Sequence, residues 1–277
     1  MRLQCGETRI TTLVTRAPDL GKPGKIAVAL SLTVVGGFVD AVGYIALFEI
    51  FTANMSGNSV HVGMYLGQRN WTQLARPLCA IMSYVVGMVL TRIAIEIAGR
   101  SGRRRIASFT LALEALLLAL FAHATPAMHL GQIIDQHSPA YFALVAMLAF
   151  AMGVQTATLT HIGPLTVYTT FVTGTLTKIT ESFTRVLFWA YDHVRSLGTS
   201  GIVRHAFRQQ DIREGAMLGS TWSCYVIGAA LGTALKLRWE LRALYVPVAI
   251  LSGFVVLDLF RPIDVEEEQH QTGQKKA

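Results

Sequence analysis

The chain has 277 residues, 52% of them hydrophobic and only 15% charged, with a mean hydropathy of +0.44 and a formal net charge of +7. Soluble domains carry about 25% charged residues, so this composition sets aside a soluble enzyme and favours an integral membrane protein. The Lys and Arg residues sit at the ends of apolar blocks, which points to cytoplasmic helix flanks and membrane lipids as partners, not to nucleic acid.

Residues 1–25 hold Arg2, Arg9, Arg16, Lys22 and Lys25 but no apolar core of the kind a signal peptide needs. They read as a flexible basic cytoplasmic tail. Apolar blocks follow at 26–50, 77–98, 106–124, 140–159, 216–235 and 243–260, each near the ~20 residues that cross a bilayer. Most are apolar all round, as expected of membrane spans and not of surface helices. Two polar clusters interrupt the apolar sequence, Met55-Ser56-Gly57-Asn58 and Val172-Thr173-Gly174-Thr175. The final stretch, 261–277, contains Glu266, Glu267 and Glu268 and reads as a disordered cytoplasmic tail. Cys5, Cys79 and Cys224 have neither metal-ligand nor disulfide spacing.

The two clusters belong to a longer correspondence. Gly37-Phe38-Val39-Asp40-Ala41 falls opposite Gly153-Val154-Gln155-Thr156-Ala157 at a constant offset, and Ser56-Gly57-Asn58 then falls opposite Thr173-Gly174-Thr175 with one residue inserted. Ser83-Tyr84-Val85-Val86-Gly87 matches Cys224-Tyr225-Val226-Ile227-Gly228, with the extra length absorbed by a basic loop insertion at about 189–213. Small residues recur in membrane helices because they allow close packing. Packing alone does not require Asp40, Asn54, Asn58 and Gln155 at matched depth. Residues 26–125 and 140–260 therefore read as two membrane repeats.

Arginine bias orients them. If the short segment at 52–67 enters and returns to one side, Arg100, Arg103, Arg104 and Arg105 lie inside with the N-terminal tail, as the positive-inside rule asks. The same count puts Arg185, Arg195, Arg204, Arg208 and Arg213 inside and leaves Arg69 and Arg76 as exceptions. Each half then crosses three times, so the halves are inverted, an architecture common among transporters. The fold expectation is all-α and polytopic, with about six full transmembrane helices, two short broken or re-entrant segments that meet near the middle, and an internal inverted repeat. The competing arrangement is eight full spans in parallel halves.

The candidate solute or ion site is Asp40, Asn54, Ser56, Gly57, Asn58, Gln155, Thr156, Thr170, Thr173, Gly174 and Thr175. Asp40 lies mid-span, where an ionisable group costs about 2.5–3.5 kcal/mol on insertion scales. It reads either as a proton, cation or solute contact, or as a tie that holds the broken segment. Ser, Thr and Asn cap helix starts, whose dipole favours an anion or a carbonyl oxygen. Arg92 and Glu96 are spaced to pair, and Glu114, deeper in its span, is expected to have a partner. No phosphate-binding Gly-Lys-Ser/Thr loop, His-Glu-x-x-His pair or Gly-x-Ser-x-Gly elbow is present, so neither an enzyme nor a cofactor is expected.

Asp40-Ala41, Ser56-Gly57-Asn58, Gln155-Thr156-Ala157 and Thr173-Gly174-Thr175 resemble the paired motifs of the YoaK-like family of uncharacterised bacterial inner-membrane proteins, a domain-of-unknown-function family. The resemblance runs over about 26–260. Ser56 stands where that family has Thr, and Thr156 where it has Asn. The resemblance implies a polytopic helical fold in the bacterial cytoplasmic membrane and supplies no substrate. The functional expectation is a transporter or channel for a small polar or anionic solute. The alternatives are a non-transporting scaffold or sensor acting through its basic loop, and a membrane-embedded enzyme. A homodimer is the expected assembly, because dimers are the commonest oligomers.

Overall fold

The computed structural model describes residues 20–101, 106–127, 135–159, 172–206, 210–261 and 263. Within them the secondary structure is helical: α1 (Lys22–Ala46), α2 (Met55–Gly67), α3 (Trp71–Arg100), α4 (Ile106–Ala127), α5 (Pro139–Leu159), α6 (Val172–Ala206), α7 (Gln210–Trp239) and α8 (Tyr245–Phe260), with a 3-10 turn at Glu240–Leu244 between the last two. Pro sits in the first turn of α1, where its missing N–H costs no hydrogen bond. Asn54 and Asn70 cap α2 and α3 through their side-chain oxygens. Five stretches are long and apolar enough to cross a membrane: Pro23–Ala46, Trp71–Arg100, Ile106–Ala124, Pro139–Leu159 and Asp211–Phe260. The last is divided into α7 and α8 at Glu240, whose φ of 52° is left-handed and ends the helix.

Burial sorts the helices. Leu32, Val35 and Val39 of α1, Leu111, Leu118 and Phe121 of α4, and Leu144, Leu148 and Met152 of α5 form the core with Leu251 of α8. Met82, Val89, Leu90, Ile93 and Ile97 leave one side of α3 exposed and apolar, the surface a bilayer covers. α1 packs on α7, α3 on α5, and α4 on α5 and α8, while α2 lies on α3 and α6 on α7.

Contact order gives directions. Val34 meets Gly228 and Phe38 meets Gly232, so α1 and α7 run parallel. Arg76 meets Tyr141, Cys79 meets Phe142 and Gly87 meets Phe150, so α3 and α5 also run parallel. α1 opposes the second pair, because its end at Leu47 meets Tyr141 at the start of α5 while Leu32 meets Gln155 near the end of α5. The two crossings are built alike. A Cβ on Gly37 would come within 3.0 Å of the Tyr225 carbonyl, and one on Gly153 equally close to that of Tyr84. Gly228 stands in the same relation to Val34 as Gly87 does to Phe150. Such backbone-to-backbone approach is the packing that small residues permit in membranes.

Two expectations change. The second broken segment is not short, since α6 runs 35 residues without interruption, about 52 Å at 1.5 Å per residue. The basic stretch expected as a loop insertion continues that helix to Ala206, and α7 begins at Gln210. α6 is too polar to count among the membrane-crossing stretches, and a polar helix can continue beyond the apolar layer where a loop was expected. Of the tail expected at 1–25, residues 1–19 lie outside the described residues and 22–25 are already the first turn of α1, while of 261–277 only Arg261 and Ile263 are described.

Candidate functional site

After α1 the chain doubles back. Phe48 and Glu49 have φ values of 52° and 68°, a left-handed conformation that costs about 1–2 kcal/mol per non-glycine residue. The reversal is held by Leu47 N to Gly43 O at 2.8 Å, Glu49 N to Tyr44 O at 2.9 Å, and the Tyr141 hydroxyl donating to Leu47 O at 2.8 Å. Arg76 donates to Phe48 O and, at 3.1 Å, to the Tyr141 hydroxyl. Gly43 gives the return its room, because a Cβ there would press on the Thr52 methyl at 2.5 Å. Residues 52–54 therefore run back beside α1 to the level of Asp40, about 9 Å from the helix end at 1.5 Å per residue.

Asp40 is 3% exposed and fully engaged. Its Oδ1 accepts from Thr52 N at 2.8 Å, Ala53 N at 2.7 Å, Asn54 N at 3.4 Å and the Thr52 hydroxyl at 3.2 Å. Its Oδ2 accepts from the Tyr225 hydroxyl of α7 at 2.6 Å. Asn54 Oδ1 accepts from the Ser56 hydroxyl at 2.7 Å and Gly57 N at 3.4 Å. Asn58 pairs with the backbone of Phe51 in both senses, accepting from its N at 3.1 Å and donating to its O at 2.8 Å. Gly57 leaves room for the Phe51 ring. Asp40 thus holds the three successive backbone N–H groups of the segment that leads into α2, while Asn54 caps the helix itself.

The second half repeats the tyrosine contact without the carboxyl group. Thr156, at the sequence position opposite Asp40, accepts from the Tyr84 hydroxyl at 3.0 Å and donates to Met152 O at 2.9 Å. Gln155 donates to Leu32 O at 3.1 Å, and its buried Oε1 has no partner. Gly174 and the buried Thr175 lie in the first turn of α6. Thr173 is placed in that turn by its backbone, and Thr170 lies outside the described residues.

The eleven candidates accordingly fall into separate groups. Asp40, Asn54, Ser56, Gly57 and Asn58 form one cluster at the start of α2. Gln155 and Thr156 form a second on α5. Among the described residues α2 and α6 do not touch, because each lies on a different long helix, α3 or α7. The single central meeting point expected from the sequence is not formed by these parts. Sequence reasoning also missed Tyr84 and Tyr225 as the residues that tie the clusters to the neighbouring helices, although both lie within the matched Tyr-Val motifs. Arg76, an exception to the charge bias, is a buried bracket on the α1 turn. Glu96 pairs with Arg100 at 2.9 Å, not with Arg92, and Glu114 has no partner.

Residues 28–257 match the family model described as protein of unknown function (DUF1275). The chain belongs to the DUF1275 family. It is 28% identical over 225 residues to the UPF0700 transmembrane protein YoaK of Bacillus subtilis (strain 168), covering 81% of this chain and 90% of that protein. No solved structure matches. The DUF1275 match spans both tyrosine-linked clusters, and with the apolar helices it makes this chain a multi-pass membrane protein.

The two tyrosine contacts differ in strength. Tyr225→Phe leaves a buried carboxylate oxygen without its donor and is expected to cost about 1–3 kcal/mol. Tyr84→Phe removes a bond between neutral groups while Thr156 keeps its bond to Met152, a loss of about 1 kcal/mol. Thermal unfolding of the purified variants in lipid nanodiscs measures the order, and equal midpoints would contradict it.

Proposed function

We propose that the protein is a carrier of a small anionic solute in the bacterial cytoplasmic membrane, built from two repeats inserted in opposite orientations with both termini inside. The observation that carries this reading is the Asp40 carboxylate. It lies buried in a membrane helix, holds the start of α2, and is shared with α7 of the other half through Tyr225. Ionisable groups inside membranes mark solute and ion pathways by default, and helix starts at membrane depth are the usual receptors in inverted-repeat carriers. Support for inversion comes from the opposed directions of the α1/α7 and α3/α5 pairs and from the matched glycine and tyrosine contacts at their crossings.

The asymmetry of the two halves assigns roles. The first half places Asp40 against the segment that leads into α2. The second carries the neutral Thr156 at the matched position in sequence, and in this reading the start of α6 receives the anion. Thr156→Asp installs the mirror carboxylate and is expected to lower flux by at least about tenfold, the effect of 1.4 kcal/mol. Thr156→Val removes the hydroxyl without adding charge and keeps transport. The measurement is uptake of nitrate, sulfate, acetate and lactate by proteoliposomes. Failure of every probe to cross, or flux indifferent to Thr156→Asp, would overturn the reading.

A second reading has its own observation. α6 exposes Phe183, Leu187, Phe188 and Tyr191 and carries Arg185 in the same turns, a composition suited to an anionic lipid surface. Replacing Phe183, Leu187 and Phe188 by serine separates the two: a carrier takes up the anions with or without the change, whereas a scaffold takes up none in either form and loses its binding to anionic lipid vesicles.

A further inference from the structure

The buried stripe of α4 is Ala107, Thr110, Leu111, Glu114, Ala115, Leu118, Phe121 and Ala122, one residue or the other at each turn, facing α5 and α8. Glu114 sits in the middle of it. The side chain is 0% exposed and neither carboxyl oxygen has a hydrogen-bond partner. Among the described residues the other two buried carboxylates are treated differently. Asp40 collects donors from Thr52, Ala53 and Tyr225, and Asp258 accepts from Ser108 and, at 2.7 Å, from Ile263 N.

Among the described residues no counter-charge faces Glu114 from the elements packed against α4. On α5, Tyr141 is committed to Leu47 and Arg76. On α8, Asp258 is held at the far end of the stripe, and Tyr245 is exposed. Glu240 and Arg242 of the 3-10 turn are exposed. On α3, Arg76 and Tyr84 are turned to α5, Cys79 meets Phe142, Glu96 pairs with Arg100, and Arg92 is exposed. His123, on α4 itself, is exposed. Among the described residues no three His, Cys, Asp or Glu side chains gather to hold a metal ion. A metal cation needs several oxygen ligands, whereas a proton needs one.

We infer that Glu114 is a proton-binding site, carrying its proton while α4 is packed on α5 and α8 and releasing it to water when those helices part. On release the O–H bond breaks, the proton passes to water and the carboxylate stays behind. An isolated carboxylate in apolar packing is too costly to persist, so the charged form belongs to the opened arrangement and the neutral acid to the closed one. A group that gains and loses a proton with helix separation is what a proton-coupled carrier needs, and in that use the inference rests on the transport reading above.

The test needs no solute. Infrared spectra of the whole protein in lipid nanodiscs at neutral pH are expected to show the C=O stretch of a protonated carboxylic acid without hydrogen bonds. Glu114→Gln should remove that band, and Glu114→Asp should retain one at a shifted position. Glu114→Gln should also unfold no earlier than the wild type on heating, because it replaces one neutral group by another. Absence of the band, its persistence in Glu114→Gln, or a lowered midpoint in that variant would overturn the assignment. A protein that moves none of the anions can still show the band, and one that moves them can lack it, so the two readings fail separately.

Discussion

Gly37→Ala is expected to be among the most damaging single-methyl changes in this chain. The added Cβ would meet the carbonyl oxygen, carbonyl carbon and Cα of Tyr225, all backbone atoms of α7 that have no side-chain freedom with which to move aside. Overpacking that side chains can absorb costs about 1–3 kcal/mol, and backbone against backbone belongs at or above the top of that range. Gly228→Ala drives the same two helices apart through Val34, and Gly153→Ala and Gly87→Ala do so at the α3/α5 crossing. Gly219 is the control, since it lies in α7 with nothing near its missing Cβ. There alanine is expected to be neutral or to stabilise by up to about 1 kcal/mol through helix propensity. Thermal midpoints in nanodiscs give the comparison. A Gly37→Ala protein as stable as Gly219→Ala would mean that α1 and α7 do not cross at this point.

Asp40→Ala is expected to release the start of α2. Thr52 N, Ala53 N and the Tyr225 hydroxyl would lose their acceptor together, and each buried donor left unmade costs about 1–3 kcal/mol. Even with partial access to water the loss should reach about 3 kcal/mol, a large fraction of a typical folding free energy. Asp40→Asn keeps one acceptor oxygen for the backbone donors and is expected to lose less. Hydrogen exchange resolves the location. Amides from 52 to 57 should exchange faster in Asp40→Ala while those of α4 and α5 keep their protection. Unchanged exchange in that segment would show that Asp40 does not hold it.

These two results concern features of unequal legibility in the sequence. The polytopic helical class could be read from the apolar blocks, because a bilayer sets a simple length and composition rule. The glycine matches carried real information, since Gly37 and Gly153 occupy equivalent positions at two crossings. The fold-back after α1 could not be read. Phe48 and Glu49 carry no signal for left-handed φ, and their conformation is imposed by Arg76 and Tyr141 from distant parts of the chain. Arg76 was misleading for the same reason, because charge bias counts an arginine as a topological marker even when it is an internal bracket. The length of α6 was missed because a polar stretch between spans reads as a loop unless its helical continuity is enforced by packing on α7. Asp40 was found by depth and Thr156 by alignment, but their tyrosine partners come from long-range pairing that no local pattern encodes.

The opposite orientation of the two halves is the central claim, and the sidedness of two equivalent connections tests it most directly. Arg69 lies between α2 and α3, and Arg208 between α6 and α7. In a background with Cys5, Cys79 and Cys224 replaced by serine, Arg69→Cys and Arg208→Cys would each be probed with a membrane-impermeant maleimide in intact spheroplasts and in inverted vesicles. Inverted halves give labelling of Arg69→Cys from the outer face only and of Arg208→Cys from the cytoplasmic face only. Labelling of both from the cytoplasmic face would contradict the account and require eight spans in two parallel halves, and labelling of both from the outer face would contradict it by making α6 a crossing and α2 not.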